Sequence, residues 1–313
     1  MGQGREPLPV VPPPLADERL SSWIARSADV YRVSPEEFQT HVGWARAAIE
    51  LDVDPDPGDL ARMAYGMHTS VDQLLAMTFH ADPPRYRSLL RLNGRETCSA
   101  CSDSLARAPR LRAWAFTFSF WCDRHHRLLQ SSDMRGASLL RDEASAYRGA
   151  ELLRRWAMGE DGGAVSVHSA LLLLLSSLRR PAPPAPWELA RLPPCRQGDP
   201  ALRSRGFTQQ VLSSVVPEFD LAVPIYDRCA PSRIADLPMA PRAERYALAI
   251  GVARLLKNPI NTAVHVLSAS EEPCRAKLMA QLDFWPVTIW MAIIRSLAAG
   301  RKNGAGRRVK RKL

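Results

Sequence analysis

The sequence lacks any hydrophobic run long enough to span a membrane. Its longest apolar stretches, 169–175 and 284–294, fall far short of the ~20 residues that a membrane helix requires. The N-terminal region is rich in proline and has no apolar stretch of the kind found in secretory signal peptides. These absences predict a soluble protein with no membrane partner.

Cysteine is scarce and the short motifs of common enzyme classes are missing. Six cysteines in 313 residues are too few for a disulfide scaffold, so we expect a reducing cytoplasm. The chain has no Gly-Lys-Ser/Thr phosphate loop, no His-Glu-x-x-His helix and no acid cluster of a two-metal nuclease. Asp52, Asp54 and Asp56 lie close together but read as a loop that leads into a helix. We therefore expect no enzyme activity and no catalytic residues.

Positive charge is concentrated at the C-terminus. The formal net charge of +10 falls to +3 without the seven basic residues of 301–313, a segment that contains no acid. Such a tail suits a phosphate backbone, although a solvated, disordered end is an equal alternative. Its basic residues are Arg301, Lys302, Arg307, Arg308, Lys310, Arg311 and Lys312.

Two ligand pairs predict a zinc site. Cys98 and Cys101 form one pair, Cys122 and His125 form the other, and two residues separate the ligands within each pair. This spacing lets a tight turn present two donors to one tetrahedral Zn²⁺. Four protein donors leave no position for water, so we expect one structural zinc ion, with His126 as a reserve ligand. Buried cysteines beside an unrelated histidine are the alternative.

Aromatic residues alternate between the two ligand pairs. Trp114, Phe116, Phe118 and Phe120 occupy every second position. A period of two predicts a strand whose apolar face covers the metal site. A platform on which nucleic-acid bases stack is the alternative.

Arginine is dense around the predicted zinc site. Nine arginines lie between positions 85 and 127, against three acids. This density favours contact with phosphate or with an acidic partner surface, and a solvated face is the alternative. Nucleic-acid or partner contact is therefore predicted for Arg87, Arg91, Arg95, Arg107, Arg110, Arg112, Arg124 and Arg127, and in the tail for Arg307, Arg308, Lys310, Arg311 and Lys312.

A helical unit is repeated near the N-terminus. In the first copy, Ser34 and Glu37 form a capping box at the start of a helix. Residues 60–77 repeat the design at an offset of 36, with Ser70 in the place of Ser34 and Gly66 at the bend. A helix-turn-helix that reads DNA is one interpretation. Packing and partner contact are alternatives, because acids at the starts of the second helices repel phosphate.

The periodicity predicts a mainly α fold with a small zinc-ribbon-like module, an N-terminal helix-turn-helix-like repeat and a helical C-terminal region. The predicted segments are a Pro-rich arm (1–18), a helix-turn-helix-like domain (19–84), a zinc-finger module (85–135), a helical extension (136–180), a Pro-rich linker (181–200), a helical C-terminal domain (201–300) and a basic tail (301–313). Later helices are predicted over 137–157, 165–178 (buried), 208–215, 240–257, 261–267, 273–282 and 286–299.

A pattern spread over about residues 7–135 resembles the TniQ family, whose relatives include the TnsD-type target selectors. The matching motifs are Glu18-Arg19-Leu20-x-x-Trp23-Ile24-Ala25-Arg26, Leu60-x-x-Met63-Ala64, Leu74-x-x-Met77-Thr78-Phe79 and Cys98-x-x-Cys101 through Trp114 to Cys122-x-x-His125-x-x-x-Leu129.

The resemblance implies a non-enzymatic adaptor for target-site selection in DNA transposition. Such an adaptor binds DNA directly or docks on another recognition complex, including an RNA-guided one, and recruits an AAA+ ATPase that regulates the transposase. A bacterial, nucleoid-associated location follows from this role, and a homodimer is left open. A zinc-containing transcription regulator unrelated to transposition is the alternative function.

Overall fold

The computed structural model describes residues 6–42, 48–103, 107–130, 140–183, 185–191, 194, 207–223 and 233–309, with the main chain alone at 48, 188 and 300–309. The chain divides into two compact units, Met1–Ser132 and Asp133–Leu313. Helices dominate both units, which confirms the predicted fold class. Among the described residues, no helix combines the length and the apolar character that crossing a membrane requires.

The first unit consists of short helices and one two-stranded antiparallel sheet. Its helices are α1 (Leu20–Val30), α2 (Pro35–Val42), α3 (Ala48–Leu51), α4 (Pro57–Gly66), α5 (Val71–Ala76), α6 (Pro84–Arg87), α7 (Ser99–Ser102) and α8 (Arg112–Ala115), and its strands are β1 (Trp121–Cys122) and β2 (Arg127–Leu128).

The internal repeat is present in the backbone. Helix α1 and helix α4 each end in a turn whose bend residue has a positive φ, +56° at Arg32 and +52° at His68. These two residues are 36 positions apart, the offset that the sequence predicts. The helix after each turn is capped by a serine hydroxyl, which accepts from Glu37 N–H at Ser34 and from Gln73 N–H at Ser70 (both 3.1 Å).

Gly66 is not the bend residue of the second copy. It is the last residue of α4, and a Cβ placed there would meet only Val42, at an ordinary contact distance of 3.8 Å. The left-handed bend is made two residues later by His68, whose ring Nε2 donates to the Leu8 carbonyl (2.9 Å). That long-range bond favours a histidine at the bend, although glycine would adopt the backbone conformation more easily.

The proline-rich arm is held against the helices. Leu8 is buried, and its N–H donates to the Gly66 carbonyl (2.9 Å). Trp23 Nε1 donates to the Pro12 carbonyl and Arg26 donates to the Pro13 carbonyl, both at 2.7 Å. Proline has no N–H to donate, so its carbonyls are the groups through which such an arm can be fixed.

The aromatic segment between the ligand pairs does not form the predicted strand. Arg112–Ala115 is a single helical turn, and Ser119 N–H donates to the Phe116 carbonyl (2.9 Å) to close a further turn. The buried rings of Phe116, Phe118 and Phe120 nevertheless form one row, with centroids 5.8 and 6.5 Å apart. The prediction of a strand is therefore wrong. The rings are buried and offer no platform to bases, but of the four aromatic residues Trp114 alone belongs to the described cluster that packs against the ligand cysteines.

The second unit is a helical assembly. Its helices are α9 (Glu143–Ala157), α10 (Val167–Leu175), α11 (Pro186–Ala190), α12 (Val211–Val215), α13 (Glu218–Ala222), a 3₁₀ helix (Ile234–Met239), α14 (Arg242–Lys257), α15 (Pro259–Ala269), α16 (Glu272–Leu282) and α17 (Val287–Val309).

Helix α14 lies at the centre of the second unit and is buried on nearly every side. Gly149 on α9 faces it so closely that any Cβ would collide with the Ala249 main chain, so glycine lets the two helices touch. Arg254 near the end of α14 pairs with Asp142 (2.9 Å) and with Glu218 (3.2 Å). These pairs join α14 to the N-cap of α9 and to α13.

The predicted helices of the second half are present, and most of their ends shift by one to three residues. Two ends are corrected: α9 begins at Glu143 instead of 137, and α17 continues to Val309 instead of ending at 299. Helix α10 is buried as its composition predicts. Within the proline-rich segment 181–200, Pro186–Ala190 is helical and Ala182 pairs with Phe207. Residues 184, 192–193 and 195–200 of that segment lie outside the described part of the chain.

Candidate metal centre

Four ligand atoms converge in the first unit. They are the Sγ atoms of Cys98, Cys101 and Cys122 and a ring nitrogen of His125, all within 4.8 Å of one another. The Cys101 and Cys122 sulfurs are 3.8 Å apart, and His125 Nδ1 lies 3.5, 3.2 and 3.7 Å from the sulfurs of Cys98, Cys101 and Cys122. A tetrahedral site with Zn–S of ~2.3 Å and Zn–N of ~2.0 Å requires S–S of about 3.8 Å and S–N of about 3.5 Å. The residues therefore fit one tetrahedral metal ion.

The first ligand pair is set by a single turn of helix. Cys98 immediately precedes α7, and Cys101 lies within it. Cys101 N–H donates to the Cys98 carbonyl (3.1 Å), which closes the turn and brings the two side chains to the same side. Burial acts to raise the pKa of the Cys98 thiol, but hydrogen bonds from the main-chain N–H groups of Cys101 and Ala100 and from the neighbouring thiols outweigh it and lower that pKa.

The second ligand pair lies in the β1–β2 hairpin. Cys122 pairs with Arg127 across the hairpin, and the N–H groups of His125 and His126 both donate to the Cys122 carbonyl (3.3 and 2.8 Å). His126 takes a left-handed conformation, with φ of +50°, and its side chain is exposed. His125 thus joins the cluster, and the reserve ligand His126 does not.

The three thiols of the cluster would ionise together only beside a cation. Burial raises the pKa of the Cys101 thiol to about 12, and its neighbours Cys122 and Cys98 raise it further. Three thiolates cannot share so small a space unless a positive charge lies among them. A divalent metal ion would supply that charge and keep the thiols deprotonated.

The two halves of the site are braced from both sides. Thr97 and Gln130 exchange two main-chain hydrogen bonds, at 3.0 and 2.7 Å, just outside the ligand pairs. Leu111, Trp114 and Leu129 pack against the ligand cysteines in one buried cluster. Main-chain hydrogen bonds and apolar packing therefore both connect the metal centre to the rest of its unit.

The domain that contains this centre is matched by a known family model. Residues 9–129 match the model named TniQ. We call residues 9–129 the TniQ domain, after the family model that they match. The match confirms the resemblance read from the sequence, and it runs from the packed arm to Leu129, the last residue of the buried cluster beside the metal centre. No curated protein and no solved structure matches the chain.

Three of the arginines predicted to contact nucleic acid or a partner form ion pairs with acidic residues of the TniQ domain. Arg91 forms a close ion pair with Glu96. Arg107 binds both carboxylate oxygens of Asp29, at 2.6 and 2.8 Å. Arg112 pairs with an acid, donates to a main-chain carbonyl and lies over a phenylalanine ring; its partners are Asp82 (2.9 Å), Ala76 (3.1 Å) and Phe79 (5.4 Å to the centroid). Each of these side chains has a structural role within the TniQ domain.

Four other predicted arginines keep their charge uncompensated. Arg95, Arg110, Arg124 and Arg127 are exposed, and none forms an ion pair with an acid in the described part of the chain. Arg124 and Arg127 lie on the hairpin of the metal centre, and Arg87 is half-buried in α6.

The remaining predicted residues belong to the tail and to unpaired cysteines. The side chains of Arg307 and Arg308, and all of Lys310, Arg311 and Lys312, lie outside the described part of the chain. Among the leftover cysteines, Cys195 and Cys229 also lie outside it, and Cys274 is buried in α16.

A cleft beside α1 and α2 was not predictable from the sequence. Its polar wall brings Ser21 and Gln39 together with Arg95 and Arg110, residues up to 89 positions apart. No local spacing signals such a set, because only the fold of the TniQ domain brings its members together. The density of arginine was the only sequence signal that predicted contact for Arg95 and Arg110.

Proposed function

We propose that the chain is a non-enzymatic, zinc-containing adaptor for target-site selection in DNA transposition. The observation that carries the proposal is a TniQ domain, residues 9–129, built around a four-ligand metal centre. In this role the chain binds DNA, a targeting complex or both, and recruits an AAA+ ATPase that regulates the transposase. It works in the bacterial cytoplasm in association with the nucleoid.

Zinc is the metal that the donor set favours. Three thiolates and one imidazole suit Zn²⁺, which accepts tetrahedral sulfur and nitrogen ligands without a redox change. The ligand spacings given above match such a tetrahedron. Because protein donors fill all four positions, the ion holds the module together and has no site for a reacting water. This closure supports an adaptor role over an enzyme.

Nucleic-acid contact is assigned to the arginines that lack acid partners. Arg95, Arg110, Arg124 and Arg127 can meet phosphate without first breaking an internal ion pair. The tail residues Arg307, Arg308, Lys310, Arg311 and Lys312 add a second basic region. The helices α2 and α5 are weaker candidates, because they begin with acids at Glu36, Glu37 and Asp72.

Co-purification tests the proposal. The full-length chain is tagged and expressed with the AAA+ ATPase and transposase encoded beside its gene, and the purified complex is assayed for zinc and for binding to labelled duplex DNA. We expect one zinc per chain, retention of the ATPase and DNA binding that weakens with salt. Binding to neither the ATPase, nor a targeting complex, nor DNA contradicts the proposal. Binding to one operator sequence near unrelated genes, without the ATPase, supports a transcription regulator instead.

A further inference from the structure

A cleft of about 570 Å³ lies in the TniQ domain beside α1 and α2. We call it the arginine cleft, after the three guanidinium groups on its wall: Arg95, Arg107 and Arg110. Ser21, Ser22, Gln39 and Thr97 line it as well, and Glu36 is the one acid among its lining residues. The charged groups on its wall are thus predominantly positive.

Two of the three guanidinium groups are free to bind a ligand. Arg107 is held in a bidentate pair by Asp29. Arg95 and Arg110 make no side-chain hydrogen bond or ion pair with any residue in the described ranges. Burial lowers the pKa of the Arg110 guanidinium, and the positive charges of Arg19, Arg95 and Arg107 lower it further. The cations therefore lie close enough to repel one another, and an anion between them relieves that repulsion.

The main chain that carries the free arginines is fixed. Arg110 N–H donates to Ser22 Oγ, and Arg19 N–H donates to the Arg110 carbonyl, both at 2.9 Å. Arg95 follows a turn in which Gly94 N–H donates to the Arg91 carbonyl (3.0 Å). A Cβ at position 94 would meet the end of the Glu96 side chain and lie close to the Arg91 carbonyl, so a larger residue there would require the Glu96 side chain to move. These bonds hold the backbone without using either guanidinium.

A largely buried glutamine adds a polar group to the cleft. Gln39 is only 6% exposed, and its side chain lines the arginine cleft. In the described part of the chain this amide has no hydrogen-bond partner. The amide atoms are not among the fully enclosed unpaired atoms of the described chain, so water reaches them from the cleft, and a ligand that accepts the N–H protons can replace that water.

We infer that the arginine cleft binds one phosphate group of the DNA backbone, held by Arg95 and Arg110 with Gln39 as a further donor. The inference rests on the proposed function, because DNA is the source of the phosphate. Guanidinium groups donate in a planar fork that matches the oxygens of a phosphate. Free phosphate offers the same chemistry, so the test must separate the two sources.

Salt-dependent DNA binding tests the inference. Anisotropy of a labelled duplex is measured with the full-length protein between about 50 and 200 mM KCl. One phosphate contact contributes about 0.9 to the slope of log K against log salt, which corresponds to about eightfold in affinity at 0.1 M. We expect the double variant Arg95→Ala, Arg110→Ala to lose that slope and that affinity. Arg110→Lys, which keeps the charge, should retain the slope and lose part of the affinity.

The control is Arg62→Ala, which removes from α4 one exposed arginine that pairs with Asp59 and lies outside the cleft. Zinc content and the thermal midpoint must be those of the wild type in every variant. If the double variant keeps the slope and affinity of Arg62→Ala, the cleft does not bind a DNA phosphate and the inference is overturned.

A second measurement separates failure of the cleft from failure of the proposed function. If the wild type binds no duplex at all, inorganic phosphate is titrated while the Arg Nε–Hε resonances are followed by NMR. Shifts that vanish in the double variant support the cleft as a site for free phosphate, and the DNA-binding part of the proposed function is then wrong. No shift in the wild type overturns both.

Discussion

Arg19 and Asp52 form an ion pair in the interior of the TniQ domain. The guanidinium donates to Asp52 Oδ2 through Nε (3.0 Å) and through a terminal nitrogen (2.7 Å), and the side chains are 2% and 0% exposed. Ser21 adds two donors to the same carboxylate, at 2.8 Å from N–H and 2.6 Å from the hydroxyl. The pair fixes the start of α1 to the loop after α3, with every contact made inside the domain.

Removing the acid from this pair should destabilise the domain strongly. In Asp52→Ala the guanidinium of Arg19 stays buried without its partner, so we expect a loss of about 3–5 kcal/mol in the free energy of unfolding, measured by urea denaturation. The double variant Arg19→Met, Asp52→Ala should lose less, because no uncompensated charge remains. The control Asp54→Asn changes an exposed acid of the same loop, and a loss as large as that of Asp52→Ala would contradict the prediction.

Replacing one histidine of the hairpin should release the metal, while replacing the next should not. His125→Ala removes a ligand of the metal centre, so we expect less than one zinc per chain and cooperative unfolding of the module. His126→Ala removes an exposed ring that is not part of the cluster, and should keep zinc stoichiometric. Elemental analysis and circular dichroism measure both effects. Equal zinc loss in the two variants would show that the ligand assignment is wrong.

The two bends of the repeat should respond differently to glycine. Arg32 is exposed in a left-handed conformation that costs a side chain about 1 kcal/mol, so Arg32→Gly should raise the free energy of unfolding by about 0.5–1 kcal/mol. His68→Gly relieves the same strain but breaks the bond to the Leu8 carbonyl, and should bring no gain. Thermal unfolding measures the stability of both variants. An equal gain in stability at both bends would contradict the prediction.

Acid should weaken the second unit through Arg254. Burial alone would raise the pKa of Asp142, but hydrogen bonds from Ser145 and Arg254 hold it below the ordinary value of 3.8. Hydrogen bonds from Arg254 also lower the pKa of Glu218 below its ordinary value of 4.5. A carboxylate whose pKa is lowered by folding stabilises the folded state when the pH is above the ordinary pKa of that group. That stabilisation is lost as the pH falls through the lowered pKa values of the folded state.

Arg254→Met tests this linkage. Near neutral pH we expect it to lose about 1 kcal/mol, a modest figure because Glu218 is 46% exposed and water screens the pair. The difference from the wild type should shrink below about pH 4, where the acids become protonated in both proteins. The control Arg154→Met breaks an exposed pair with Glu151 and should cost little at any pH. A difference for Arg254→Met that stays constant to low pH would sink the prediction.

Local spacing was enough to find the metal ligands and the helix caps. Cys98 and Cys101, like Cys122 and His125, sit three positions apart, and one turn of chain suffices to bring each pair together. The capping box at Ser34 depends on residues three positions apart as well. Patterns of this kind survive in any fold, so the sequence alone reveals them.

The aromatic stripe shows where local patterns mislead. Alternation at Phe116, Phe118 and Phe120 is consistent with a strand, but it is also produced by a row of buried rings along consecutive turns. Periodicity in a sequence indicates which side chains face the same side. It does not determine the backbone conformation, which depends on where the main-chain hydrogen-bond partners lie. In this segment one bond joins Ser119 to Phe116, while other partners lie outside it: Thr117 N–H donates to the Leu89 carbonyl and Leu129 N–H donates to the Phe120 carbonyl.

The sequence by itself determined the mainly helical class, the repeat at an offset of 36, the four metal ligands and the resemblance to the TniQ family. These features depend on contacts within a few residues or on patterns that a family shares. The tertiary structure alone decided which arginines are free. Arg107 meets Asp29 across 78 positions and Arg112 meets Asp82 across 30, whereas Arg95 and Arg110 meet no acid among the described residues. Charge in a sequence shows how many cations there are, and only the fold shows which of them are already neutralised.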